Sequence, residues 1–464
     1  MGNNAKEGID DPVSQKTLMM VSLGCAKNLV DSENMCQTVQ DAGIRLVFDP
    51  QEADMIVINT CGFIESAKKE AIDKILEMAQ YKSCRCDYVI VTGCLAQRYA
   101  KEIREWIPEV DAVLGTAAYD KIVETIKELY GRADTGSHPC HLPIIQTEGL
   151  GSILHLSATR TPSTKGYAYI KIAEGCSNRC SYCAIPDIRG PLQSRPVEHL
   201  VEEAKHLADI GIYEVVLIAQ DSTRYGLDLY GSPSLPSLIH AISEIDGIRT
   251  IRILYCYADG ITDELVQEIR HNPKAAHYIE MPIQHASDTV LKRMNRRDTK
   301  QKITDVVRTL RKEIPDIVIR TTVMVGFPGE TEEEFADLLL FIRKLKFDLL
   351  GCFVFSKEEG TPAYKMKPII PKKTAKKRYD LIMTEQKDIT KMKNNRKINK
   401  KYKITIESIT SDGVFYLGRS YAQAPEIDPM ILVVATTQQL EFGKEYQVKI
   451  VETSDYELIG VTTK

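Results

Sequence analysis

With 464 residues the chain is too long for one ordinary domain, and two or three are expected. Its 43% hydrophobic and 27% charged residues are typical of a soluble globular protein with ample core material. A net charge of −4 excludes a general polyanion binder, so any nucleic-acid role would need a local basic patch.

The segment Met1 to Lys16 is polar, carries both signs of charge and lacks the apolar core of a secretory signal. No apolar run approaches the roughly 20 residues needed to cross a bilayer. A cytoplasmic location without a membrane partner is expected. Twelve cysteines in a reducing compartment are then metal ligands, catalytic thiols or small buried hydrophobes rather than disulfides.

From Thr17 to Gly131 the short apolar runs TLMMVSL, MIVINT, YVIVTG and DAVLG read as buried parallel strands. Helical stretches such as SAKKEAIDKILEMAQ lie between them, the pattern of an open parallel sheet. Residues 132–165 are rich in Gly, Pro, Ser, Thr and His and read as a linker. A second α/β segment, 166–395, offers six strand candidates: YAYIKIA, EVVLIAQD, IRILYC, YIEMPI, IVIRTTVMVGF and LLGCFVF. With helices between them, a full or partial parallel barrel or a second open sheet would fit. Pro371 to Tyr402 holds twelve Lys and Arg against three Asp and Glu, and reads as a long exposed helix or linker with a basic face. From about Lys403 the chain alternates with period two over about five strands, as in a small antiparallel β-barrel.

The sequence EGCSNRCSYCAIP sets Cys176, Cys180 and Cys183 in a C-x3-C-x2-C array just after a predicted strand. Active sites of parallel barrels form at that strand end. Three thiolates can hold three irons of a [4Fe–4S] cube and leave the fourth open. The competing assignment is a zinc knuckle with a distant fourth ligand.

Three further cysteines share a position. Cys25, Cys61 and Cys94 each follow a predicted strand of the first segment, each beside a glycine (SLGC, CGF, TGC). Carboxyl ends of parallel strands converge on one crevice, which would gather the three thiols into a second cluster site. Ordinary buried cysteines are the alternative. Cys36 falls inside a helix, Cys84 and Cys86 in a polar turn, Cys140 in the linker, and Cys256 and Cys352 in core strands.

The second array resembles that of the radical S-adenosylmethionine enzymes. The resemblance implies that S-adenosylmethionine chelates the open iron and is cleaved to a radical. It also implies that Tyr182 packs near the adenine, with plain core packing as the alternative. In VMVGFPGETEEEF, Gly326 and Gly329 would let backbone approach a ligand, and Thr331 with Glu334 forms a capping-box pattern. The whole chain after its first residues resembles the methylthiotransferases, which use two [4Fe–4S] clusters. That resemblance implies a first-cluster domain over 17–131, a radical core over 166–395 and a TRAM-like substrate-recognition barrel over 396–464.

One branch of that family modifies an aspartate β-carbon of the small-subunit ribosomal protein uS12, and other branches modify tRNA adenosines. SLGCAKNLVDSE, NTCGFIESAKKEAID, EGCSNRCSYCAIPDIRGPLQSRP, IAQDSTRYGLDLYG, PIQHASDTVLKRMNRR, FSKEEGTPA and GRSYAQAPEIDP are similar to the ribosomal-protein branch. Ala26, where that branch often has Pro, departs from it beside a ligand. From Lys403 to Lys464 there are five Lys and Arg against nine Asp and Glu. An acidic barrel suits a basic protein partner better than tRNA. The expected partners are therefore uS12 as substrate, an electron donor and a sulfur source, with no stable tRNA binding. The basic segment 371–402 would touch ribosomal RNA or simply solvate a helix. Arg320, Gln220 and Gln284, near the carboxyl ends of predicted strands, could contact S-adenosylmethionine or the aspartate, or could be ordinary polar barrel lining. The rivals are a tRNA adenosine methylthiotransferase and a non-catalytic iron–sulfur protein.

Overall fold

The structure is a computed structural model that describes residues 13–134, 143–436 and 439–463. Cys140 lies outside the described residues. The chain divides into two compact units: one runs to Thr161 and includes Ala184–Pro191, and the other comprises Pro162–Cys183 and Leu192–Lys464.

The first unit is built on six parallel strands: β1 (Thr17–Ser22), β2 (Arg45–Leu46), β3 (Met55–Thr60), β4 (Tyr88–Gly93), β5 (Ala112–Leu114) and β6 (Ile144–Gln146). Their order in the sheet is β2-β1-β3-β4-β5-β6. Helices cover both faces, so β3 is buried at every position and reads as an unbroken apolar run. Connection order reverses at β1 and β3, the kind of switch point where the carboxyl ends of strands open a crevice.

The expectation of a linker over 132–165 is corrected here. Ile144–Gln146 pairs with β5 as the sixth strand, Ile144 to Ala112 and Gln146 to Leu114. The following segment is also anchored in this unit: the buried His155 bonds Asp31 at 2.9 Å, and the buried Arg160 pairs with Glu33. A three-residue strand is too short to show a period, and Gly- and Pro-rich flanks hid it.

The second unit begins with β7 (Tyr167–Lys171) and a short antiparallel pair, β8 (Ala173–Glu174) with β9 (Gln193–Ser194). Next come β10 (Glu214–Ile218), β11 (Thr250–Ile253), β12 (Tyr278–Glu280), β13 (Val318–Val325) and β14 (Leu349–Val354). Two parallel sheets, β7-β10-β11 and β12-β13-β14, are joined across their margin. There the Ala276 N–H donates to Ile251 O at 2.8 Å and the Cys256 N–H to Glu280 O at 2.9 Å. The result is a partial barrel of six parallel strands in chain order, backed by helices.

The helix Lys372–Asn395 carries the basic segment, but it is not simply exposed. Ala375, Arg378, Ile382, Gln386, Ile389, Thr390 and Asn394 form a buried stripe that recurs every three or four residues. Beyond it β15 (Lys401–Ile409), β16 (Tyr416–Arg419), β17 (Ile431–Val434), β18 (Glu445–Thr453) and β19 (Leu458–Thr462) close into a barrel. The barrel is not wholly antiparallel, because β17 and β19 run parallel. Ile404, Ile406, Val433, Val448 and Ile450 fill it with no exposed surface, each burial stabilising by about 1.5–3 kcal/mol. No helix of the described residues is long and apolar enough to cross a membrane.

Candidate functional site: two three-thiol loops

In the first unit, Cys25 follows β1, Cys61 follows β3 and Cys94 follows β4, three strands adjacent in the sheet. The loops touch. A Cβ on Gly24 would lie 2.8 Å from Cys61 Cβ and 3.3 Å from its Sγ. A Cβ on Gly62 would lie 2.8 Å from the Leu95 backbone. Gly93 has φ +95°, and a Cβ there would meet Asn59 Oδ1 at 2.4 Å and Thr60 O at 2.5 Å. Only glycine therefore ends β4 so tightly that Cys94 can open the next helix. Gly93→Ala is expected to cost about 2 kcal/mol or more and to lower iron incorporation, measured by thermal unfolding and metal analysis.

The three thiols also share an electrostatic environment. Burial pushes the Cys61 thiol up to about 12, and Cys94 and Cys25 add to the rise while Arg189 opposes it. At Cys25 desolvation also acts upward, but Lys27, Arg189 and the N–H groups of Asn28 and Lys27 outweigh it and hold the thiol below its usual range.

Cys176, Cys180 and Cys183 occupy one loop of the second unit, at the carboxyl side of β7 and β8. The Cys183 N–H closes a turn onto Cys180 O at 3.0 Å. Ser181 pins the loop: its N–H donates to Met294 O at 2.9 Å and its hydroxyl to Arg293 O at 2.8 Å. The Ala363 N–H donates to Ser181 O at 2.8 Å. Asn178 bonds Asp221 at 2.7 Å and accepts from Arg297 at 2.5 Å. Tyr182 and Cys180 sit in an apolar cluster with Val290, Met294, Phe327 and Ala363. Burial raises the Cys176 thiol to about 11.

None of the six cysteines is joined in a disulfide. Among the described residues no three His, Cys, Asp or Glu side chains converge as the ligands of a single ion. A single zinc needs sulfurs about 2.3 Å from one point. A [4Fe–4S] cube takes one thiolate on each of three different irons and spreads its ligands. Three thiolates suit three irons of a cube, whereas a structural zinc would need a fourth ligand.

The other predicted positions divide. Gln220 lies two residues past β10. Its amide donates to Glu174 at 2.7 Å, while its Oε1 is buried without a partner. Glu174 is completely buried and also binds Lys171 at 2.7 Å. Gln284, at φ +64°, continues the β12 segment alongside Val323. Gly326 follows β13 with φ +75°, and a Cβ there would strike Ala375 at 2.6 Å, so its bareness admits a helix. Gly329 shares the positive φ without such crowding, and the Thr331–Glu334 capping box is formed.

Arg320 is corrected. It is the third of eight residues of β13, not near its carboxyl end, and it pairs with Asp428 at 2.7 Å. Asp428 also accepts from Tyr278 at 2.7 Å and from the Ala424 N–H at 2.8 Å. Tyr169 donates to Glu426 at 2.9 Å, and the Arg252 guanidinium donates to Tyr421 O at 2.7 Å. The loop between β16 and β17 thus binds side chains of β7, β11, β12 and β13. The stretch GRSYAQAPEIDP held this role without any local sign of it. The sequence also gave no sign of Arg189, whose guanidinium reaches Cys94.

Residues 17–115 match the family described as "Uncharacterized protein family UPF0004", residues 170–342 the radical SAM superfamily, and residues 398–462 the TRAM domain. The fold and the C-x3-C-x2-C loop with these matches define a radical S-adenosylmethionine enzyme, a class whose cofactors are [4Fe–4S] clusters and S-adenosylmethionine. An Acetivibrio thermocellus protein named ribosomal protein uS12 methylthiotransferase RimO is 48% identical over 447 residues, 96% of this chain and 98% of that one. A Geobacter sulfurreducens protein of the same name is 45% identical over 461 residues, 99% of each. The chain belongs to the RimO family and is a radical S-adenosylmethionine methylthiotransferase. The radical S-adenosylmethionine methyltransferase TsrM from Kitasatospora setae shares the fold at TM-score 0.57 and 16% identity, over 75% of this chain and 77% of that one. The cobalamin-dependent radical enzyme OxsB does so at 0.52 and 12%, over 82% and 57%.

Proposed function

We propose that this chain methylthiolates the β-carbon of an aspartate in ribosomal protein uS12, using S-adenosylmethionine as radical source and as methyl donor. The observation that carries the proposal is 45–48% identity, over nearly the whole chain, to relatives named for that substrate. Cys25, Cys61 and Cys94 would hold one [4Fe–4S] cluster, and Cys176, Cys180 and Cys183 the other. When bound, the clusters and S-adenosylmethionine would supply radical C–H activation, a carrier for the sulfur and the methyl group.

The chain's own residues bind, orient and exclude water. Tyr182, Phe327 and Met294 wall the second loop with apolar surface, which keeps water from a reactive centre. Tyr182 would pack beside the adenine. The open Oε1 of Gln220 can accept a hydrogen bond from S-adenosylmethionine or the substrate. Gln284 and the Gly326–Gly329 turn follow the carboxyl side of neighbouring strands, where they can border the same ligand. Asp412, Glu441, Glu445, Glu452 and Glu457 are exposed on the small barrel, which supports a basic protein substrate rather than tRNA. An electron donor and a sulfur source complete the partners, in the cytoplasm.

Mass spectrometry of uS12 from cells with and without the gene tests this. Loss of a methylthio group from the protein is expected in the deletion. A change on tRNA adenosines with none on uS12 overturns it.

A further inference from the structure

Arg189 is a cation built into the first three-thiol site. It belongs to the segment Ala184–Pro191, which is part of the first unit. Thr116 holds that segment, its hydroxyl donating to Ile188 O at 2.6 Å. The Arg189 side chain is 2% exposed. Its Nε donates to Cys94 Sγ at 3.3 Å. Its Nη2 donates to Asn28 Oδ1 at 2.7 Å, and both terminal nitrogens donate to Asp31 Oδ2 at 3.1 Å.

The partners are themselves fixed. Asp31 is fully buried and binds His155 through its other oxygen at 2.9 Å. Asn28 donates to Leu23 O at 2.9 Å and Thr60 O at 3.1 Å, the residues that lead into the Cys25 and Cys61 loops. Taking an arginine out of water is costly unless its charge is paired. Asp31 supplies that pairing but leaves the Nε–H aimed at sulfur. The planar guanidinium offers its donors in one rigid fork, so holding Asn28 and Asp31 sets where the third donor points.

We propose that Arg189 is a positioning residue that sets the reduction potential of the cluster held by Cys25, Cys61 and Cys94, by donating a charge-assisted hydrogen bond to Cys94 Sγ. This rests on the ligand set proposed above. The Cys94 thiol here stands in for the iron-bound thiolate. An N–H donor and a positive charge at a ligand sulfur favour the more negative, reduced state of a cluster, and they act strongly where water is excluded. Asp31 and Asn28 orient the guanidinium.

The test uses the full chain carrying C176A, C180A and C183A, so that only the first site can load. Anaerobic reconstitution of this parent should give about four irons per chain. Its midpoint potential and electron paramagnetic resonance signal are then compared with those after Arg189→Met and Arg189→Lys. The expected result is a more negative midpoint and an altered signal for Arg189→Met, and a smaller shift for Arg189→Lys, which keeps the charge without the fork. Equal iron with unchanged midpoint and signal in both variants overturns the inference and leaves the ligand set standing. A parent that holds no iron overturns the ligand set and the inference together. If Arg189→Met fails to load, Arg189→Lys and Asp31→Asn decide the matter, and an unshifted midpoint in both refutes the role.

Discussion

Cys180→Ala will reduce S-adenosylmethionine cleavage to the level of a protein-free control while leaving the first cluster loaded. Each thiolate of a three-cysteine site holds one iron, so losing one removes a corner of the cube's attachment. Cys180 is 5% exposed and packs among apolar side chains. Ala is tolerated there at a cost of about 1 kcal/mol, so a folded chain is expected. Iron should fall by half, from about eight to about four per chain. 5′-Deoxyadenosine release and iron analysis on one reconstituted sample check both parts. Sustained cleavage, or loss of both clusters, would refute the proposed division of ligands.

The second large effect concerns the small barrel's anchorage. Glu214, the first residue of β10, is 5% exposed and binds Arg252 at 2.7 Å and Arg419 at 2.9 Å. Arg419, in β16, also holds Glu407. Glu214→Ala leaves two buried guanidinium groups short of a carboxylate and is expected to cost about 3–5 kcal/mol. Replacing Glu214, Arg252, Arg419 and Glu407 together by apolar residues should cost less than the single change, because the whole ion network is then removed and no unpaired buried charge is left from it. Chemical denaturation of the three proteins distinguishes these outcomes.

The same carboxylate has a pH signature. Burial alone would push Glu214 up, but Arg252 and Arg419 outweigh it and hold the group below its usual range. Its folded-state pKa therefore lies below the unfolded value of about 4.3. The stabilisation is fully present above that pH and is lost as pH falls through the folded value. Glu214→Gln should flatten the acid limb of the stability curve, and an unchanged limb would show that other carboxylates dominate it.

Much of the site was legible because its signals are local. C-x3-C-x2-C places three thiols on one loop whatever surrounds it. A cysteine just past an apolar run lies at a strand end, and parallel strands align their ends, so Cys25, Cys61 and Cys94 could be read together from residues 36 and 33 apart. The five short alternating segments of the terminal barrel announced themselves by period alone.

What stayed hidden depends on pairings between distant residues. Arg320 looked like an active-site cation, but its partner Asp428 is 108 residues away. No spacing rule connects the two, and a strand's pattern does not say how far along the strand a side chain stands. Arg189 looked like one more residue of the loop after Cys183, until packing assigned it to the first unit and to Cys94. Ile144–Gln146 looked like linker because three residues cannot establish a period, and only pairing with β5 makes them a strand. The sequence by itself determined the thiol loops, the order of domains and the class of chemistry, since each rests on local motifs or on the shared position of strand ends. The tertiary structure alone decided which charges serve the site and which hold the fold, because a buried ion is defined by the partner that offsets its desolvation.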